Sequence, residues 1–333
     1  MIRANPEQCA WLAQVVKTIR VRREPWLVTP SNETERHREA NYWFYIVAIC
    51  QNTKSFAGTI GGRWYRGWDY LCAATRRCLD DFSDAQIMLR YSSEDLRRVL
   101  SDDFNPTHST IDRVEERVRQ LHECARGLLE RYEGQAMNIY YASGGRLRGE
   151  GGLLEKLAAF PPYADPLQKK SVLLAGLLDE IGIWPLADRD TLKVAMDYHA
   201  VRVALRTGMV EVTDAGLARA LKAREPVSDE VNHAVRRAVS EACDLIVAGS
   251  GMRVFDFDKY IWQLGRSCCF YEHEPICGNG RKGVPCFKRE RCTFIQATTY
   301  ECPNVCPFDG VCKGSRDPEY RAYWETNVYT EYY

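Results

Sequence analysis

Apolar residues recur three and four positions apart through most of the chain, the spacing of helices with one buried face. The pattern predicts helices over residues 68–79, 83–91, 93–101, 111–132, 152–160, 169–181, 200–207, 214–223 and 229–248, with a short one over 259–264. Near the start, Cys9, Leu12, Val15, Val16 and Ile19 form one stripe and predict a helix over 7–20. Two stretches read differently. Residues 41–50 are apolar and aromatic without a break, and so short a run does not separate helix from strand. Residues 54–66 are rich in Gly and β-formers and predict a small hairpin. Pro106, Gly144-Gly145, Pro161-Pro162 and Pro185 punctuate the helices. After Arg266 the texture changes to Cys, Pro, Gly and basic residues. The expected class is mainly α with a small β element, in three parts: 1–135, 136–266 and a Cys-rich 267–333.

Composition adds bounds rather than an identity. The chain has 333 residues, 45% hydrophobic and 27% charged, the make-up of an ordinary soluble globular protein. There is no apolar run of the roughly 18 residues a membrane helix needs, and the first residues lack an apolar signal core, so a cytoplasmic location is expected. Net charge is zero, which counts against tight non-specific nucleic-acid binding and leaves local patches to decide. The 14 cysteines are unevenly placed. Cys268, Cys269, Cys277, Cys286, Cys292, Cys302, Cys306 and Cys312 crowd the C-terminal part, which in a reducing compartment reads as metal or cluster ligation. The other six read as small core residues.

The candidate chemistry centres on Met196-Asp197-Tyr198-His199, followed by Arg202, Arg206 and Gly208. This segment resembles the V-D-x-H-x-x-R-V-x-x-R-x-G word of helix-hairpin-helix DNA glycosylases, with Met196 in place of the first Val. The resemblance implies that Asp197 is the catalytic carboxylate at a helix start, with Arg202 as a DNA contact. Loss of a base builds oxocarbenium charge on the sugar, and a carboxylate beneath C1′ stabilises it and orients the attacking water. The plainer reading of Asp197 is a helix N-cap.

A second set of words runs from about residue 41 to 264. It includes Tyr65-Arg66-Gly67-Trp68-Asp69-Tyr70-Leu71, Val114-Glu115-Glu116-Arg117, Gly127-Leu128-Leu129-Glu130-Arg131-Tyr132, Phe160-Pro161-Pro162-Tyr163, Gln168-Lys169-Lys170, Met196-Asp197-Tyr198 and Asp258-Lys259-Tyr260-Ile261-Trp262. In this order they resemble the queuosine salvage family, whose members hydrolyse the N-glycosidic bond of queuosine nucleotides on a helical fold related to the DNA glycosylases. The resemblance implies Glu230 as a second acidic residue. Tyr198, His199, Asp258 and Trp262 become substrate-binding candidates, with Phe44 and Trp68 as pocket aromatics. Each has a structural alternative: a solvated first-turn residue for Glu230, a cap for Asp258, core packing for the aromatics. The chain departs from the family at His199-Ala200-Val201-Arg202, which has the DNA-glycosylase form, and at Gln263, where the family carries a carboxylate. Gly176 and Leu177 fall where a Schiff-base Lys would stand, and Lys170 reads as an exposed first-turn residue, so water is the expected nucleophile.

Cys302-x3-Cys306-x5-Cys312 resembles the cluster loop of iron–sulfur DNA glycosylases in position and in its last spacing. The resemblance implies a [4Fe–4S] cluster, with zinc as the alternative, held by Cys302, Cys306 and Cys312 with a fourth ligand that is most simply Cys292; Cys269, Cys277 and Cys286 are the alternatives. Cys269, Cys277 and Cys286 form a second group, which zinc would share with His273. Arg281, Lys282, Lys288, Arg289 and Arg291 then form a phosphate clamp or a solvated charge run. The leading expectation is a monofunctional N-glycosylase that cuts a modified base, bulky or hypermodified, from DNA, leaving an abasic site, in defence against modified viral DNA. The alternative is a queuosine or deazapurine nucleotide N-glycosidase in modified-base salvage. A non-catalytic nucleic-acid-binding module is third.

Overall fold

The computed structural model describes residues 1–24, 27–270, 275, 277, 286 and 292–333. The chain is mainly helical and divides into two compact units. One comprises residues 1–26 and 193–329, the other 27–192 and 330–333. This division cuts across the three consecutive parts expected from sequence: the chain's first residues share a unit with its C-terminal half.

The unit of residues 27–192 is built around the helix Glu33–Ala48, capped by the Asn32 side chain, which accepts from the Glu35 N–H. From Ala40 to Ala48 every residue is buried. That explains why the aromatic run was ambiguous: a helix covered on all sides has no polar stripe and therefore no 3.6-residue period. The helices Val114–Tyr132, Ala136–Ser143 and Lys169–Glu180 pack against it. The expected hairpin is present. Ala57–Ile60 pairs antiparallel with Arg63–Arg66, Ile60 opposite Arg63. Its two-residue turn is Gly61-Gly62, both with positive φ (58° and 77°), as a type I′ turn requires.

In the other unit Ile2–Ala4 pairs antiparallel with Val210–Val212. Asn5 then caps the helix Pro6–Val16. Cys9, Leu12 and Val16 of its predicted stripe are fully buried, packed against the long helix Asp229–Ser250. The helix Tyr198–Thr207 lies against both Asp229–Ser250 and Val254–Ser267. The last of these is longer than the 259–264 segment expected. Of the helix-hairpin-helix reading, the mainly helical class is observed; residues 192–197, which lead into the Tyr198 helix, are non-helical. No helix among the described residues is long and apolar enough to cross a membrane.

Candidate active site

Asp197 is the N-cap of Tyr198–Thr207. Its backbone is extended (φ −109°, ψ 179°), and its Oδ1 accepts from the Ala200 N–H at 2.9 Å. The carboxylate is half-buried. Capping and chemistry are compatible, because the cap uses one oxygen of the carboxylate and leaves it at a positive helix end. Two neighbouring helices grip the residues just before it. Asp258 Oδ1 accepts from the Ala195 N–H at 2.9 Å, and the fully buried Arg236 donates to the Met196 carbonyl from Nε (3.3 Å) and Nη2 (3.0 Å). Asp258 is thus a backbone clamp rather than a cap of its own helix.

His199 follows immediately and is buried, its ring centroid 4.3 Å from that of Tyr198. Arg202 Nη2 donates to His199 Nδ1 at 2.8 Å. A guanidinium only donates, so Nδ1 is the acceptor and the imidazole proton sits on Nε2. The Val254–Ser267 helix meets this turn along one face, where Asp258, Trp262 and Gly265 recur at i, i+4 and i+7. Asp258 touches Ala195 and Gly265 abuts His199, so Trp262, one turn from each, stands on the stripe between those contacts. Trp262 is half-buried, with the Arg266 guanidinium 4.3 Å from its ring centroid. Gly265 is required by close approach: a Cβ there would lie 2.9 Å from His199 Cβ. Gly265→Ala is therefore expected to destabilise the protein by about 1–3 kcal/mol, the usual cost of overpacking. Thermal unfolding beside the parent checks this; an unchanged midpoint would contradict the tight packing.

Arg202 does not reach solvent. Its side chain is fully buried, and its donors are used inside the protein. Nε donates to Cys269 O (2.8 Å), Nη1 to Glu325 Oε2 (2.8 Å) and Tyr198 O (3.5 Å), and Nη2 to Gly265 O (2.9 Å) and His199 Nδ1. Such burial does not suit the DNA contact expected of Arg202. One turn on, the buried Arg206 donates to Tyr323 O and Phe270 O. The two arginines of the motif thus fasten the C-terminal segment to the Asp197 helix.

Glu230 lies exposed in the first turn of Asp229–Ser250. Its carboxyl is held below the usual range chiefly by a hydrogen bond to Ser228, the environment of a helix-start residue. Phe44 and Trp68 belong to the unit of residues 27–192. Phe44 is fully buried and stacks on Tyr163 at 5.2 Å, a core contact rather than a pocket wall. Trp68 is half-buried and stacks on Trp43 at 6.2 Å. Lys170 departs most from expectation. It is fully buried, and Nζ donates to Ala48 O, Gln51 Oε1 and Glu331 O. Burial pushes its ammonium down to about 7. Sequence reasoning also missed Arg236, whose place inside a helical stripe gave no signal except a charge on an apolar face.

All 14 cysteines are free thiols. Cys268 and Cys306 share a hydrogen bond, which together with burial drives Cys306 upward. Cys302 donates to Val305 O at 3.6 Å and Cys312 to Arg206 O at 3.5 Å, while Cys269 accepts from Arg206 Nη1 at 3.7 Å. Among the described residues no three His, Cys, Asp or Glu side chains gather closely enough to hold a metal ion. The expected ligands Cys292, Cys302, Cys306 and Cys312 all lie among these described residues. His273 and the basic residues Arg281, Lys282, Lys288, Arg289 and Arg291 lie outside the described residues.

Comparison with known proteins bears on this arrangement. The family model described as queuosine salvage protein matches residues 39–172, wholly inside the unit that does not contain Asp197. Two relatives are similar over a longer span. A mouse protein named queuosine 5′-phosphate N-glycosylase/hydrolase is 24% identical over 264 residues, 70% of this chain and 73% of the relative. A bovine protein of the same name is 23% identical over 265 residues, again 70% and 73%. So long a similarity exceeds the unit of residues 27–192, about half of the chain, and extends into the unit of Asp197. These likenesses support an enzyme that hydrolyses N-glycosidic bonds.

Proposed function

We propose that this protein hydrolyses the N-glycosidic bond of a modified-purine nucleotide of the queuosine 5′-phosphate type, releasing the base and leaving a sugar 5′-phosphate. The similarity to two enzymes of that name across 70% of the chain carries the reading. In this reaction the C1′–N bond breaks, water adds to C1′, and a proton passes to the departing base. Asp197 faces the developing positive charge at C1′ and orients or deprotonates the water. The half-buried Tyr198 and Trp262 offer aromatic surface to a base. His199 and Asp258 act from behind: the imidazole packs the helix start, and the Asp258 carboxylate fixes the turn. Lys170 is fully buried, its Nζ enclosed by three oxygen acceptors, and presents no accessible amine for Schiff-base chemistry, so water is the nucleophile in this reading.

The test is a substrate panel. Purified protein is incubated with queuosine 5′-phosphate, the corresponding nucleoside, and duplex and single-stranded DNA containing deazapurine or other hypermodified bases, and released base is measured by mass spectrometry. The reading expects release from the nucleotide and none from DNA. Release from DNA alone would overturn it and restore the glycosylase reading. The iron–sulfur or zinc reading of the cysteine segment is a separate proposal, decided by iron, sulfide and zinc analysis of anaerobically purified protein. A four-iron cluster or one zinc ion per chain supports it, and substoichiometric metal removes it.

A further inference from the structure

We infer that Arg236 is a positioning residue for Asp197. The inference rests on the reading of Asp197 as the catalytic carboxylate. The Asp229–Ser250 helix packs its buried face with apolar residues, Val235, Val239, Ala242 and Ile246 among them, yet carries a fully buried guanidinium at 236. A buried cation is costly unless its hydrogen bonds are met, so an arginine in this place calls for an account of what it holds. Nε and Nη2 converge on one acceptor, the Met196 carbonyl, at 3.3 and 3.0 Å. That carbonyl shares its peptide plane with the Asp197 N–H. Fixing the plane from one helix, while Asp258 fixes the Ala195 N–H from the next, sets the direction in which the Asp197 side chain leaves the backbone. The bond from the Ala200 N–H to Asp197 Oδ1 lies within the helix's first turn and tolerates rotation of the whole turn. The forked grip on Met196 restrains that rotation. A lysine in place of Arg236 supplies one point charge and no fork.

Misplacing a catalytic group by about 1 Å costs on the order of 10²-fold in rate. Arg236→Gln is therefore expected to lower kcat on queuosine 5′-phosphate by roughly 10–10²-fold with KM little changed. Arg236→Lys should recover part of the loss. The folded fraction of each variant, from thermal unfolding and circular dichroism, corrects the rates for simple instability. In the Asp197→Asn background, Arg236→Gln should add little further loss, because residues acting as a unit are not additive. Three outcomes overturn the inference: a kcat drop no larger than the loss of folded protein, an effect confined to KM, or full additivity with Asp197→Asn. If Asp197→Asn itself keeps parental activity, the catalytic reading of Asp197 fails and this inference with it. If Asp197→Asn is inactive and Arg236→Gln turns over normally, this inference alone fails.

Discussion

Asp197→Asn is expected to remove base release, with kcat falling by at least roughly 10²–10³-fold, while the protein stays folded. The two halves of this expectation have separate causes. Asn is as good an N-cap as Asp, so the bond to the Ala200 N–H and the start of Tyr198–Thr207 survive. What is lost is the negative charge, which stabilises an oxocarbenium-like sugar and positions water. The substitution therefore separates a capping role from a catalytic one at a single oxygen-for-nitrogen exchange. A thermal midpoint within a few degrees of the parent, together with lost turnover, is the predicted pair of readings. Retained turnover would leave Asp197 as a cap and nothing more.

Arg202→Met is expected to cost about 3–5 kcal/mol of stability, the usual loss when one partner of a buried ion pair is removed. Glu325 would keep its charge with only 10% of its side chain exposed, and the carbonyls of Cys269 and Gly265 and the Nδ1 of His199 would each lose a donor. For a unit of this size such a loss lowers the unfolding midpoint by roughly 6–20 °C. Arg202→Lys should rescue little, because one ammonium cannot reach acceptors spread around a planar fork. Thermal unfolding of both variants decides the matter. A midpoint shift below about 2 °C for the Met variant would mean that this buried network does not hold the Asp197 helix to the C-terminal segment.

Much of the fold was legible because the relevant helices lie at a surface. The stripe Cys9, Leu12, Val16 and the long Asp229–Ser250 repeat both show a polar side, and the hairpin announces itself through Gly61-Gly62. The Ala40–Ala48 part of the helix Glu33–Ala48 was not legible, since burial on every face erased its period. The grouping of residues 1–26 with 193–329 was hidden for another reason. It depends on long-range pairing of Ile2–Ala4 with Val210–Val212, which no local pattern encodes. At the candidate site, Asp197 stands out because a capping carboxylate and a recognisable word coincide. Arg202 and Lys170 were misread because sequence gives charge but not depth. Both are long cations that read as surface groups, and both are fully buried among carbonyl and side-chain acceptors. Arg236 was overlooked for the same reason.

The most direct test of the account is single-turnover release of the base from queuosine 5′-phosphate by the parent protein and by Asp197→Asn, followed by mass spectrometry. The account predicts free base and a sugar 5-phosphate in equal amounts from the parent and neither from the variant. Equal release by both proteins, or none by a folded parent that instead frees a base from DNA, would contradict it.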